Sequence, residues 1–145
     1  SHQKFQGDLF QASLKRCMIT PSSVLLKRTL FEETGGFNES LPACEDYDLW
    51  LKITCNHNIG LVPRFHLKRF AGHTNQLSSM PILDRYRIRS LLQLYTARLS
   101  SAQMKAVQAT ILERTKIVAK GYLKRGNQEL YLRYMDIYRS FNDYA

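Results

Sequence analysis

Apolar residues recur along this chain with two different rhythms, and the change falls at Pro81. Before it they come in short clusters broken by glycine and proline. After it they return every three or four positions, the spacing of amphipathic helices. In the first part, Phe5, Leu9, Phe10 and Leu14 share one face of a helix predicted over Phe5 to Leu14, with Gly7 weakening its start. Cys17-Met18-Ile19 reads as a short extended piece. Ser22 to Leu26, SSVLL, reads as a buried strand. Thr29 and Glu32 have the spacing of a capping box at the start of a short helix. Gly35-Gly36 ends that helix, because glycine adopts the left-handed conformation a C-cap needs. Tyr47, Leu49, Trp50, Leu51, Ile53 and Cys55 predict a helix from about Glu45 to Asn56, buried on several sides. Ile59 to Phe70 alternates apolar and polar residues like a strand, with Pro63 placing a break or a bulge.

Beyond Pro81, Ile82, Tyr86, Ile88, Leu91, Leu92 and Tyr95 predict one helix. Ser100 or Ser101 caps a second, carrying Met104, Val107, Ile111, Val118 and Tyr122 on one stripe and ending at Gly126. Asn127 opens a third, with Leu130, Tyr134, Ile137, Tyr138 and Phe141 inside. The pattern therefore predicts an α/β chain, mostly helical, with two or three short strands in residues 1–80. Residues 81–145 are expected to form a helical tail of about three helices.

Charge sharpens this division. The net charge of +9 divides into +2 for residues 1–80 and +7 for residues 81–145. The tail is thus the basic part, suited to an anionic surface or to a solvated helical face. No apolar run approaches the ~18 residues that a membrane-spanning helix needs. Three cysteines at wide spacing argue against a disulfide framework and fit a reducing compartment, the cytoplasm.

The candidate chemistry sits in Gly35 to Leu51, GGFNESLPACEDYDLWL. Glu45, Asp46 and Asp48 fall in a helix's first turn, where acids complement the macrodipole and need no further role. Asp48 has a helical ion-pair partner in Lys52, four residues on. Glu45 and Asp46 have none at helical spacing, which leaves either free to act as a general base. Asp46-Tyr47-Asp48 spells D-x-D, a pattern used for metal-diphosphate binding. On a helix, positions two apart point about 200° apart, so these two could not close on one ion.

The stretch PSSVLLKRTLFEETGGFNESLPACEDYDLWLKI resembles the C-terminal, acceptor-side half of the catalytic domain of family-2 glycosyltransferases, which have the GT-A fold. The resemblance covers Ser22 to Ser78 most strongly, and DRYRIRSL with GYLKRGN is similar to a helical extension in a subset of bacterial members. It implies transfer of a sugar from a nucleotide-sugar donor to an acceptor hydroxyl, with inversion. It implies that Asp46 is the catalytic base, with Glu45 its rival, that Gly35 and Gly36 line the acceptor side, and that Trp50 positions the base. It implies that His73 completes a site for a divalent ion, magnesium or manganese, in the complete enzyme.

The family's nucleotide-binding half precedes this region, and too few residues lie before Ser22 to supply it. The expectation is a fragment that is inactive alone, with no cofactor bound to it. The tail gives no nucleic-acid motif, so no specific nucleic acid is expected. Peripheral contact with the inner membrane, or a homo-oligomer, would run through the tail. The competing reading is a basic helical binding or interaction module, in which the tail meets nucleic acid, an anionic membrane surface or a protein partner and the acids are only helix caps.

Overall fold

In the computed structural model, residues 6–68 and 83–143 are described. They form two compact units, one within residues 1–80 and one within residues 81–145.

The first unit holds three helices: α1 (Phe10–Lys15), α2 (Arg28–Glu33) and α3 (Glu45–Thr54). The expected helix over Phe5 to Leu14 is shortened at its start. Gly7 takes φ +89° and exchanges two backbone hydrogen bonds with Ile59, of 2.7 and 2.8 Å, a bridge that keeps it out of the helix. The helix begins only at Phe10, whose N–H donates to Asp8 Oδ1 at 2.9 Å. Thr29 lies inside α2 and caps nothing; the N-cap position is Lys27, without a side-chain bond.

The glycine pair does end α2. Gly36 N–H donates to Phe31 O at 2.9 Å and Gly35 N–H to Glu32 O at 3.0 Å, with both glycines at positive φ. This is the paired-bond C-cap of a Schellman motif. Gly36 is fixed twice over, since a Cβ there would meet the Phe31 ring at 3.0 Å.

α3 is the centre of this unit. Its Tyr47, Leu49, Leu51 and Ile53 are almost wholly buried. Tyr47 Oη donates to Leu14 O at 2.8 Å, tying α3 to the end of α1. Leu49, Trp50 and Ile53 form a core covered by Cys17, Ile19, Val24, Leu26, Leu30, Phe31 and Ile59.

The expected α/β class is overturned. Among the described residues there is no strand, only the isolated bridge between Gly7 and Ile59. Pro21–Ser23 forms a 3-10 turn, and the extended residues after it leave Leu25 fully exposed. In the second expected strand, Pro63 sits inside a tight turn closed by Arg64 N–H on Val62 O at 2.8 Å. Val62 and Phe65 are 63% and 90% exposed. Alternating residues make a strand only where a neighbouring backbone completes the ladder, and no ladder forms here. The described structure is helical.

The second unit is a three-helix arrangement of α4 (Asp84–Tyr95), α5 (Ser101–Lys124) and α6 (Gln128–Asn142). The expected start at Pro81 lies outside the described residues. Ser100 and Gln103 form a reciprocal capping box at the head of α5. At the other end Gly126, at φ +72°, and Asn127 donate to Leu123 O and Tyr122 O, both at 3.0 Å. The Asn127 side chain then accepts from Leu130 N–H at 3.0 Å, so one residue closes α5 and opens α6.

Ile88, Val118 and Tyr122 make the core, covered by Leu92, Leu130, Tyr131 and Tyr134. The Tyr122 and Tyr134 rings stack at 5.6 Å, and Tyr95 meets Phe141 edge-on at 4.9 Å. Arg114, mostly buried on α5, reaches Asp84 at the head of α4, which Arg87 also contacts at 3.0 Å.

Candidate functional site

The first turn of α3 presents the three acids in three different settings. The turn is entered through Cys44, which holds φ 67° and ψ 22°. A left-handed backbone at a residue other than glycine costs about 1–2 kcal/mol. It aims the chain so that Glu45 opens the helix directly and Asp48 N–H reaches Cys44 O at 3.1 Å.

Asp48 points inward and is 2% exposed, with Lys52 Nζ at 2.7 Å from its Oδ2. The helical spacing foretold this pair, but its burial makes it part of the core. Asp46 is half-buried on another side of α3. Its Oδ1 accepts from the N–H of Tyr47 at 2.7 Å, and its Oδ2 lies 3.3 Å from Cys17 Sγ. Asp46 and Asp48 thus face different partners, as their spacing on a helix requires. Glu45 is half-buried and makes no hydrogen bond or ion pair among the described residues.

Trp50 is 4% exposed and belongs to the core, with its Nε1 buried and unpartnered among the described residues. It also forms part of the wall of an open groove bounded by Cys17, Ile19, Val24, Leu26 and Ile59. Glu45, Asp46, Gly35 and Gly36 are not in that wall. Cys17 is the residue that links the groove to Asp46. Gly35 is exposed and Gly36 buried, at the C-cap of α2.

His73 lies outside the described residues. Among the described residues, no three histidines, cysteines or acids are grouped so as to hold a metal ion. The described part of the chain therefore offers no donor set for the divalent ion that the resemblance implies. Of the remaining cysteines, Cys55 sits at the end of α3, where burial pushes its thiol up to about 11. No helix among the described residues is long and apolar enough to cross a membrane.

Sequence reasoning missed two long-range contacts, Cys17 with Asp46 and Asp84 with Arg114. Neither pair has a spacing signal, since each spans about thirty positions.

No protein-family model matches the chain. No solved structure matches it either. Two curated relatives are similar to part of it. A protein of Rickettsia conorii is 50% identical over 73 residues and one of Rickettsia felis 36% identical over 73 residues, in each case 43% of this chain. Both are named uncharacterized glycosyltransferase, and the chain spans 12% of the length of each.

Proposed function

We propose that this chain is part of a glycosyltransferase of the family-2 type that moves a sugar from a nucleotide-sugar donor to an acceptor hydroxyl. The observation that carries the glycosyltransferase reading is the similarity to the two Rickettsia proteins of that name, while the family-2 type rests on the resemblance of Gly35 to Leu51. The setting of Asp46 supports the assignment of a base. Its carboxylate is fixed at both oxygens, by the Tyr47 N–H and the Cys17 thiol, yet only half-buried. A fixed carboxylate that solvent can reach suits proton abstraction. Asp46 takes the hydroxyl proton as that oxygen attacks the anomeric carbon, and the configuration there inverts.

The test uses the full-length polypeptide that carries this sequence. Asp46→Asn should lower turnover by ~10²–10⁴-fold, the usual worth of a general base, with the fold retained. Glu45→Gln should leave turnover within a few-fold of wild type. If Glu45→Gln abolishes turnover and Asp46→Asn spares it, the base is Glu45. If both transfer sugar at the wild-type rate, this helix start has no catalytic part.

A second reading, of the tail alone, rests on α5. Lys116, Lys120 and Lys124 recur on one exposed face, flanked by Ile117 and Leu123, which are 54% and 48% exposed. Such a face suits an anionic lipid surface. Vesicles with phosphatidylserine should sediment the chain, less so as salt rises. Each Lys→Gln change on this face should weaken binding about fivefold, near 1 kcal/mol per charge. Binding to duplex DNA should be weak, salt-steep and indifferent to sequence. A salt-resistant, sequence-specific complex with DNA would overturn the lipid reading.

A further inference from the structure

Among the described residues, two acceptors stand at the same distance from the one hydrogen of the Cys17 thiol: Asp46 Oδ2 and Ile19 O, both 3.3 Å from Sγ. The carboxylate and the peptide carbonyl compete for that hydrogen. Hydrogen bonds to an ionised acceptor are roughly twice as strong as neutral ones, so ionised Asp46 wins it. Once Asp46 has taken a proton its pull on the thiol weakens, and the carbonyl of Ile19 can take the hydrogen by a rotation about the Cβ–Sγ bond. Nothing else need move.

We propose that Cys17 is a positioning residue for Asp46, its thiol holding the carboxylate in place while it is charged and turning to Ile19 O when it is neutral. This rests on the reading of Asp46 as the base. In the reaction, the bond between the acceptor oxygen and its hydrogen breaks and an O–H bond forms on Asp46. The acceptor's electron pair goes to the anomeric carbon and the nucleotide leaves with the electrons of the glycosidic bond. Cys17 neither gains nor loses a proton throughout. Cys17 lies in the groove wall and also packs against the Leu49, Trp50 and Ile53 core, and both it and Asp46 are half-buried. Arg16, the neighbouring cation, is turned aside, with Nε 3.2 Å from Met18 Sδ.

Two measurements test the arrangement. The first needs no sugar transfer. Iodoacetamide labelling of the chain, resolved by peptide mass mapping, reads Cys17 separately from Cys44 and Cys55. A thiol whose hydrogen is held by a carboxylate yields the reactive thiolate less readily. Asp46→Asn should therefore speed labelling of Cys17 about tenfold. Glu45→Gln removes the same charge one residue away without the contact, and should change it by less than about twofold. Equal rates at Cys17 in all three proteins would overturn the contact.

The second measurement is turnover by the full-length polypeptide. Cys17→Ala should lower kcat about tenfold with KM little changed, and Cys17→Ser, which restores a donor, should recover most of it. A cysteine needed only to fill space would give the reverse order, since alanine is apolar and serine adds a hydroxyl. Equal losses in both variants, or none in either, would overturn the positioning role. If labelling responds as expected but the wild type transfers no sugar, the contact stands and the glycosyltransferase reading fails.

Discussion

Single residues at the two ends of α3 are held by forces of different range. At its start, Cys44 and Asp46 are set by backbone geometry and by a thiol from a distant part of the chain. At its end, burial lifts the Cys55 thiol from 9.0 to about 11. That shift has a consequence for stability. The unfolded thiol ionises first as pH rises, so the folded state loses ground between about pH 9 and pH 11, while below pH 9 the contribution is complete. Denaturant titrations of wild type and Cys55→Ala across that range should show it. The wild type should lose stability more steeply than the variant, and parallel curves would count against a buried thiol. The acids illustrate how far sequence reaches at this scale. The Asp48–Lys52 pair was legible because four residues on a helix bring two side chains together. The partner of Asp46 was not, because nothing local marks a cysteine 29 residues away.

Several helix ends signalled by their own residues were legible, although the capping box expected at Thr29 does not form, and elements that depend on a neighbour were not. Gly35-Gly36, Ser100, Gly126 and Asn127 each satisfy backbone groups within a few residues, so their meaning travels with the sequence. SSVLL and the stretch from Ile59 have the residues of strands, but a strand is a relation between two backbones. The helix boundary most open to test is the turn between α5 and α6. Asn127→Ala removes the side-chain cap on Leu130 N–H and should cost about 1 kcal/mol. Gly126→Ala places a Cβ at φ +72° and should cost about 1–2 kcal/mol. Ser100→Ala, at the far end of α5, should cost a similar amount, and its effect should add to that of Asn127→Ala because the two caps share no partner. Thermal melts followed by circular dichroism would read all three. A melting point for Asn127→Ala equal to wild type would mean the cap is not formed in solution.

Over the whole molecule, the change of rhythm near Pro81 falls where the two compact units divide, but the strands expected in the first part do not form, and among the described residues both units are helical. What could not be read is how the first part satisfies its extended segments, and the described residues show that α3 and its surrounding loops carry that core. The stretch after Gly60 keeps extended, apolar residues on the surface, with Val62 and Phe65 well exposed. A segment of this kind is a hazard in a crowded solution, because copies can stack edge to edge into β-rich aggregates. Its own sequence supplies the guard. Pro63 removes a backbone donor and turns the chain, while Arg64 and Lys68 place like charges that repel a second copy. A proline and like charges placed in such a stretch disfavour pairing between copies.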